Sequence, residues 1–181
     1  MKKLLVLLTV ALTLSCCNKD EDPTKKPIDL LPPATQTGEQ TFGCLINGEA
    51  FVPPTFGNNA PSAFYQFVDG NYFLGISASI NSSPLKSIGV SSDAISIQED
   101  MSYQFTNENG DNAAFFARYL LGGGIYAEYT TNTIYNGSIT ITKFDVNKFI
   151  ISGIFNFKAE EINNGETVQI TEGRFDLNYT N

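Results

Sequence analysis

The sequence predicts an all-β fold: an antiparallel β-sandwich or roll of roughly ten strands, with a closed β-barrel as the alternative. Three observations predict it. Apolar residues recur at every second position through short runs. Turn residues, above all Asn-Gly and Asp-Gly, punctuate those runs at the short spacing of sandwiches and barrels. The chain holds fourteen Phe and eight Tyr but no Trp, and these rings suit half-buried pleated surfaces. No segment sustains a 3.6-residue period, so helix is expected to be nearly absent from the folded part. Strand lengths vary too much for a regular barrel, which favours the sandwich or roll.

The first element is a leader. Lys2 and Lys3 precede an apolar run from Leu4 to Leu14, the charged and hydrophobic regions of a secretory signal. The run falls short of the roughly 20 apolar residues that span a bilayer. Its end, "TLSCC", resembles a bacterial lipobox, where signal peptidase II cuts and a cysteine receives a diacylglycerol. With Ser15 in the small position before the cut, residues 1–15 are the signal peptide and Cys16 is the acceptor. In the alternative register Cys17 is the acceptor and Leu14 takes its favoured place. A lipidated, acylated cysteine supplies several chains of the palmitate kind, where one alone would hold only marginally. The "NKDED" that follows, Asn18 to Asp22, resembles the signal that sends Bacteroidota lipoproteins to the outer face of the outer membrane.

Residues 16–40 read as a tether. Pro23, Pro27, Pro32 and Pro33 lie among charged and small polar residues, a composition that favours an extended spacer of about 3.1 Å per residue. Leu30 and Leu31 are the side chains in it suited to dock on the domain. A single β-domain is expected over 41–181.

Within that domain the turns mark the strands. Asn47-Gly48 joins two short apolar runs, the strongest local hairpin signal, and Pro53-Pro54 stops the second. Asp69-Gly70 joins Phe64–Val68 to Tyr72–Ile80 in the same way. "LKSIGVSS", "AISIQ" and "YQFTN" are shorter candidate strands. Gly122-Gly123-Gly124 separates two further runs as a hairpin connection. It lacks the Lys-Ser/Thr of a phosphate loop, and a strand rather than a helix follows. The C-terminal third reads as four strands. Ile139 and Ile141 alternate with polar residues. Phe149, Ile151, Gly153, Phe155 and Phe157 form one face of the next strand. Asn163-Asn164-Gly165 leads into Val168 and Ile170, and Phe175, Leu177 and Tyr179 form the last face, with a bulge at Gly173.

Composition excludes several function classes. The net charge is −8, and the sequence has no His. No basic patch is present to neutralise phosphates, so no nucleic-acid partner is expected. A Ser-His-Asp or Cys-His site cannot be built, nor can imidazole-ligated zinc, haem or iron. "NENGDN", Asn107–Asn112, lacks the full calcium-loop pattern and reads as a turn. The adjacent pairs Glu99-Asp100 and Glu160-Glu161 point to opposite strand faces and do not converge. Glu128, Glu172 and Asp176 are the acids with a prospect of meeting across strands. Tyr65, Tyr72, Tyr103, Tyr119, Tyr126, Tyr129 and Tyr135 are candidates for a sugar or peptide platform, though tyrosine on strands more often packs with its hydroxyl at the rim. Cys44 reads as a small buried hydrophobe, with a disulfide to Cys17 as the alternative. No catalytic residue, metal or cofactor is expected.

Two segments, "TFGCLINGEAFVP" and "ISGIFNFKAEEINNGETVQITEGRFDLNY", resemble an uncharacterised family of Bacteroidota outer-membrane lipoproteins. The likeness runs from about Thr41 to Tyr179, with Phe51 where such openings often carry Trp. The resemblance implies an architecture and a location and supplies no catalytic residue. The expectation is a lipid-anchored, surface-exposed, non-enzymatic binding or structural module with an unidentified ligand. The alternatives are a carboxylate-based glycan or cell-wall hydrolase, or a barrel holding a small apolar ligand.

Overall fold

The computed structural model describes residues 25–105, 114–122, 127–161 and 163–181. After a 3-10 turn at Pro27–Leu30 come eleven strands: β1 Thr41–Ile46, β2 Glu49–Phe51, β3 Ser62–Val68, β4 Asn71–Ile80, β5 Leu85–Asp93, β6 Met101–Phe105, β7 Ala114–Gly122, β8 Ala127–Thr130, β9 Gly137–Asp145, β10 Ile150–Glu161 and β11 Thr167–Thr180. They form one sheet in the order β2-β1-β11-β3-β4-β5-β7-β6-β9-β10-β8, and extra pairings of β10 with β11 and β7 with β8 bring distant parts of that order together. The sheet thus curls onto itself as a roll, as the alternating pattern predicts. Two contacts depart from the antiparallel expectation: β11 pairs with β3, and β6 with β7, in parallel. Neither pair is joined by a tight turn, so the turn signals carried no information about them.

The hairpin readings hold. Asn47 and Asp69 have φ near +50° and Gly48 and Gly70 near +88°, the positive-φ pair that a two-residue type I′ turn requires. Ile46 then pairs with Glu49, and Val68 with Asn71. The glycine triplet falls partly outside the described residues, but Leu121 pairs with Ala127 across it, which fits a hairpin.

The C-terminal third holds three long strands rather than four. Val168 and Ile170 are buried, then Phe175, Leu177 and Tyr179, so the inward parity changes from even to odd. A bulge makes the change. Phe155 faces Gly173 while Phe157 faces Ile170, leaving Thr171 and Glu172 opposite one residue, with Glu172 at φ 55°. A bulge inserts one residue and restores the buried face without ending the strand. Gly153 and Gly173 gain a physical reason here. A Cβ on Gly153 would lie 2.7 Å from the Phe175 ring, and one on Gly173 2.6 Å from the Phe155 ring. Gly153 pairs with Phe175 and Phe155 with Gly173, so each ring lies over the opposite glycine.

"AISIQ" is not a strand. Ala94 takes φ 57° and turns the chain away from β5. The backbone amides that follow are satisfied elsewhere: Ile95 N–H by the Tyr72 carbonyl at 3.1 Å, Ile97 N–H by the Tyr65 hydroxyl at 3.2 Å and Gln98 N–H by the Tyr103 hydroxyl at 2.8 Å. Ile97 is buried in this crossing.

One core serves all the long strands. Phe42, Phe51, Leu74, Ile76, Ile88, Val90, Phe105, Ile139, Ile141, Ile151, Phe155, Ile170, Phe175 and Leu177 are buried within it. Phe42 packs on Phe51 and Phe155, and Phe105 on Phe157. Cys44 is fully buried and unpaired, the small-hydrophobe role expected of it. Burial pushes its thiol pKa far up. Cys17 lies outside the described residues.

Residues 31–40 pack against the outer face of β1, β10 and β11. Leu31 is buried, and Pro32 lies against Gly43, where a Cβ would stand 2.6 Å from its Cδ. Further along, the Asp176 carboxylate accepts hydrogen bonds from Thr35 Oγ1 at 2.7 Å, Thr37 N–H at 2.9 Å, Gly38 N–H at 2.8 Å and Glu39 N–H at 3.2 Å. A fifth comes from Ser152 Oγ at 2.7 Å. Burial alone would raise the pKa of Asp176, but these bonds outweigh it and hold the group below the usual carboxylate range. The packed structure therefore continues N-terminal of Thr41.

Candidate functional site

Four parts of the chain converge at one end of the roll. β3 and β4 bring Tyr65, Phe67 and Tyr72 through the Asp69-Gly70 hairpin. The crossing segment after β5 brings Ser96 and Ile97. The end of β9 and the turn after it bring Phe144, Val146 and Phe149. The end of β11 brings Tyr179 and Asn181. Together they line an open cleft of about 490 Å³.

The cleft is an aromatic stack. Tyr65 lies parallel to Tyr72 at 5.0 Å and edge-on to Phe144 at 5.1 Å. Phe67 packs on Tyr72 at 4.7 Å. Tyr179 stacks on Phe144 and meets Phe149 edge-on, both at 5.6 Å. Tyr65 and Tyr179 form the floor, nearly buried, whereas Phe67 is 62% exposed, Val146 58%, Phe149 42% and Tyr72 38%. Burial raises the pKa of both floor tyrosines, so they are neutral hydroxyls at any ordinary pH.

Phe149 is held against its own preference. The β9–β10 connection is a four-residue loop, since Asp145 pairs with Ile150. Asp145 Oδ1 accepts the N–H groups of Asn147 and Lys148, each at 3.0 Å, and the loop closes with Phe149 at φ 55°. That is a glycine or asparagine position, costing a bulky residue about 1–2 kcal/mol. The Phe149 carbonyl also accepts Tyr179 N–H at 2.8 Å. The strained residue therefore presents a half-exposed ring at the cleft rim, and strain of this kind collects at functional sites.

Among the described residues, no Asp or Glu side chain lines the cleft. The acids of interest are spread elsewhere and engaged. Glu172 pairs with Arg174 at 3.1 Å. Asp176 holds the 35–39 segment, and neither Glu128 nor Glu172 is among its hydrogen-bond partners. Glu99 accepts Phe144 N–H at 3.0 Å and pairs with Lys143 at 3.3 Å. Glu161 accepts the N–H groups of Asn163 and Asn164. Among the described residues, every carboxyl with a displaced pKa is displaced downward, the direction opposite to that of a general acid. Among the described residues no group of three or more His, Cys, Asp or Glu side chains is placed to hold a metal.

The tyrosines predicted as a platform divide. Tyr65 and Tyr72 share the cleft, and Tyr103 supports the crossing segment. Tyr119 packs on Tyr129 at 5.5 Å away from the cleft lining, and Tyr135 sits under the Lys158 ammonium at 4.7 Å. Tyr126 and the "NENGDN" segment lie outside the described residues, as do Cys16 and Cys17. Sequence reasoning missed Phe67, Phe144, Phe149 and Tyr179 as cleft residues. For Phe67, Phe144 and Phe149 the available signal was an aromatic residue in or within two positions of the hairpin turns at 69–70 and 145–149; for Tyr179, at the end of β11, there was no such local signal.

A second depression, of about 430 Å³, lies on the outer face of β3–β4–β5. It is lined mainly by Ser and Gly. Its hydroxyls bond one another, Ser62 to Ser77 at 3.1 Å and Ser79 to Ser87, while the Phe64 ring covers Gly75. The aromatic cleft is therefore the stronger candidate.

Residues 69–176 match a family model described as a domain of unknown function, DUF6252. The match includes Tyr72, Ser96, Ile97, Phe144, Val146 and Phe149 of the cleft and leaves Tyr65, Phe67 and Tyr179 outside it. No curated protein and no solved structure matches the chain.

Proposed function

The chain belongs to the DUF6252 family, and we propose that it is a lipid-anchored, non-enzymatic binding module whose aromatic cleft receives an uncharged partner group. The observation that carries the reading is the cleft itself: exposed rings in a concave setting, without convergent carboxylates. Concave, mostly apolar surfaces with a few polar groups are the usual form of a binding site. The hydrolase alternative needs two carboxylates at a defined separation, and the acids nearby serve as turn caps. The apolar-ligand barrel alternative needs an empty interior, whereas the inward rings of the core pack on one another.

The anchor belongs to the same proposal, with Cys16 as the lipidated residue and Cys17 as its alternative, at the outer membrane with the domain facing outward. The direction in which the chain leaves the domain supports it. The Pro27–Leu30 turn contacts β1 and β2, and β1 meets β11 at Ile170. The cleft lies beyond Tyr179, about 30 Å along the same strand at 3.3 Å per residue. A tether leaving from Lys25 would hold the cleft at the end away from the membrane, open to a partner outside.

The test uses the full-length lipoprotein in cells. External protease on intact cells should release the domain, and Cys16→Ala should abolish membrane retention while Cys17→Ala keeps it. Failure of release would refute surface display, and retention in Cys16→Ala alone would move the lipid to Cys17. For the cleft, soluble envelope glycans and peptides are titrated against 15N-labelled protein. Binding should move cleft resonances and weaken at least tenfold in Phe67→Ser. A ligand that binds with its shifts confined to other surfaces would refute the cleft as the site.

A further inference from the structure

The side of the roll from which the tether departs carries large apolar side chains in the open. Of the two leucines suited to dock, Leu31 is buried and Leu30 is 53% exposed. The 3-10 turn at Pro27–Leu30 buries none of its residues, yet it is held in shape. Lys26 N–H donates to the Asp29 carboxylate at 3.1 Å, and the Lys26 and Ile28 carbonyls accept Asp29 and Leu31 N–H at 2.9 and 3.2 Å. The turn contacts β2, and exposed Val52 follows that strand directly. The loop that comes next is fixed at its ends by buried Pro53 and Pro61. Midway along it Phe56 is 85% exposed, the most of any large apolar residue among the described residues. Four residues separate Phe56 from Val52, a reach of at most about 14 Å. The core uses none of Ile28, Leu30, Val52 and Phe56, and apolar groups gathered in the open mark a partner or membrane surface.

We infer that this surface seats on the lipid bilayer itself, with Ile28, Leu30, Val52 and Phe56 entering the boundary between headgroups and acyl chains. The inference rests on the lipid anchor proposed at Cys16 or Cys17. It goes further by giving the domain a second contact with the membrane and an orientation on it. The length of chain before the turn selects the occupant. Nine residues lead from Cys16 to Lys25, and eight from Cys17, so an acylated cysteine keeps Lys25 within about 30 Å of the bilayer. Confinement on that scale corresponds to an effective concentration on the order of millimolar, at which a weak apolar contact persists. A soluble partner lacks that advantage. The exposed rings of the cleft lie about 30 Å away along β11, at the limit of the tether's reach. Charges of both signs surround the surface: Lys19, Lys25, Lys26 and Lys86 stand against Asp20, Glu21, Asp22, Asp29 and Glu49. Apolar insertion therefore holds the contact, and an uncharged bilayer suffices.

The experiment uses the full lipoprotein, acylated in cells, in phosphatidylcholine nanodiscs doped with a lipid that carries a gadolinium chelate. Relaxation enhancement is read at the methyl groups of Ile28, Leu30 and Val52 and at the Phe56 amide. The Val146 methyl groups and the Phe149 amide report on the cleft. The expected result is an enhancement at the first group at least fivefold above that at the cleft. Leu30→Ser combined with Phe56→Ser, both at exposed positions, should lower the enhancement at Ile28 and Val52 at least threefold. Strand amide shifts and retention on the disc should stay unchanged. Retention with an enhancement spread evenly over the domain, or greatest at the cleft, would overturn the inference and leave the anchor standing. A chain not retained on the disc would overturn the anchor and the inference with it. Concentration-dependent shifts at these four residues without lipid, and no enhancement on the disc, would assign the surface to a second copy of the chain instead.

Discussion

Replacing Asp176 is expected to release the N-terminal segment from the roll. Its carboxylate accepts five hydrogen bonds, with Oδ2 taking Thr35 Oγ1, Thr37 N–H and Glu39 N–H, and Oδ1 taking Gly38 N–H and Ser152 Oγ. In Asp176→Asn one oxygen becomes an NH₂ group that faces donors. If the oxygen keeps the three-bond position, Gly38 N–H loses its acceptor, and the Ser152 hydroxyl must turn to accept instead. At about 1.5 kcal/mol for each bond to a charged group, the loss is about 3 kcal/mol. Asp176→Ala removes all five and leaves the fully buried Ser152 hydroxyl without this acceptor, so it should cost more, about 4–5 kcal/mol once the segment relaxes and its freed amides meet water. In a chain of this size about 3 kcal/mol lowers the midpoint of thermal unfolding by about 6–12 °C. Urea denaturation followed by circular dichroism measures the loss, and hydrogen exchange at Thr37, Gly38 and Glu39 locates it. The same carboxylate sets a pH dependence. Its pKa is lower folded than unfolded, so its stabilising contribution is complete above the unfolded value near 3.8 and is lost as pH falls through the folded value. Wild-type protein should therefore lose protection at 37–39 only in strong acid, while Asp176→Asn lacks it at neutral pH. A loss under about 0.5 kcal/mol in Asp176→Asn, with unchanged exchange at those amides, would refute the reasoning.

Three further outcomes are expected. Gly153→Ala places a Cβ 2.5 Å from the Thr140 carbonyl oxygen and 2.7 Å from the Phe175 ring; the backbone contact cannot rotate away, so destabilisation of about 2–3 kcal/mol is expected by urea titration. Phe149→Asn relieves the φ of 55° at the expense of a half-exposed ring, and should stay within about 1 kcal/mol of wild type, whereas Phe155→Ala in the core should cost about 3–5 kcal/mol. Cys44 is enclosed and its thiol is shifted up, so mass spectrometry should find it unalkylated by iodoacetamide in folded protein at pH 8 and fully alkylated in denaturant.

The strand pattern was legible because it is local. Ile139 and Ile141, or Leu74, Ile76 and Ala78, carry their period of two in plain view, and Asn47-Gly48 and Asp69-Gly70 state their turns without help from the rest of the molecule. The misreadings have one cause in common, which is that a distant partner decided the outcome. "AISIQ" alternates like a strand, yet its amides go to the hydroxyls of Tyr65 and Tyr103. The last strand looked like two because the parity of its buried residues shifts at Glu172, and a bulge matched to β10 accommodates the shift. Tether composition likewise says nothing of Asp176, which lies 137–141 residues away from its partners there.

The sequence by itself determined the all-β class, the alternation that makes one face of each strand apolar, the tight hairpins and the absence of imidazole chemistry, because each depends on residue type or on neighbours within a few positions. Only the tertiary structure decided that the sheet closes into a roll with two parallel contacts, that Asp176 gathers the segment before β1, and that Tyr65, Phe67, Tyr72, Phe144, Phe149 and Tyr179 meet in one cleft. Those residues come from strands β3, β4, β9 and β11 and the β9–β10 turn, and their meeting depends on how far β11 runs beside β3, a register that chain-distant pairing sets and local pattern does not encode.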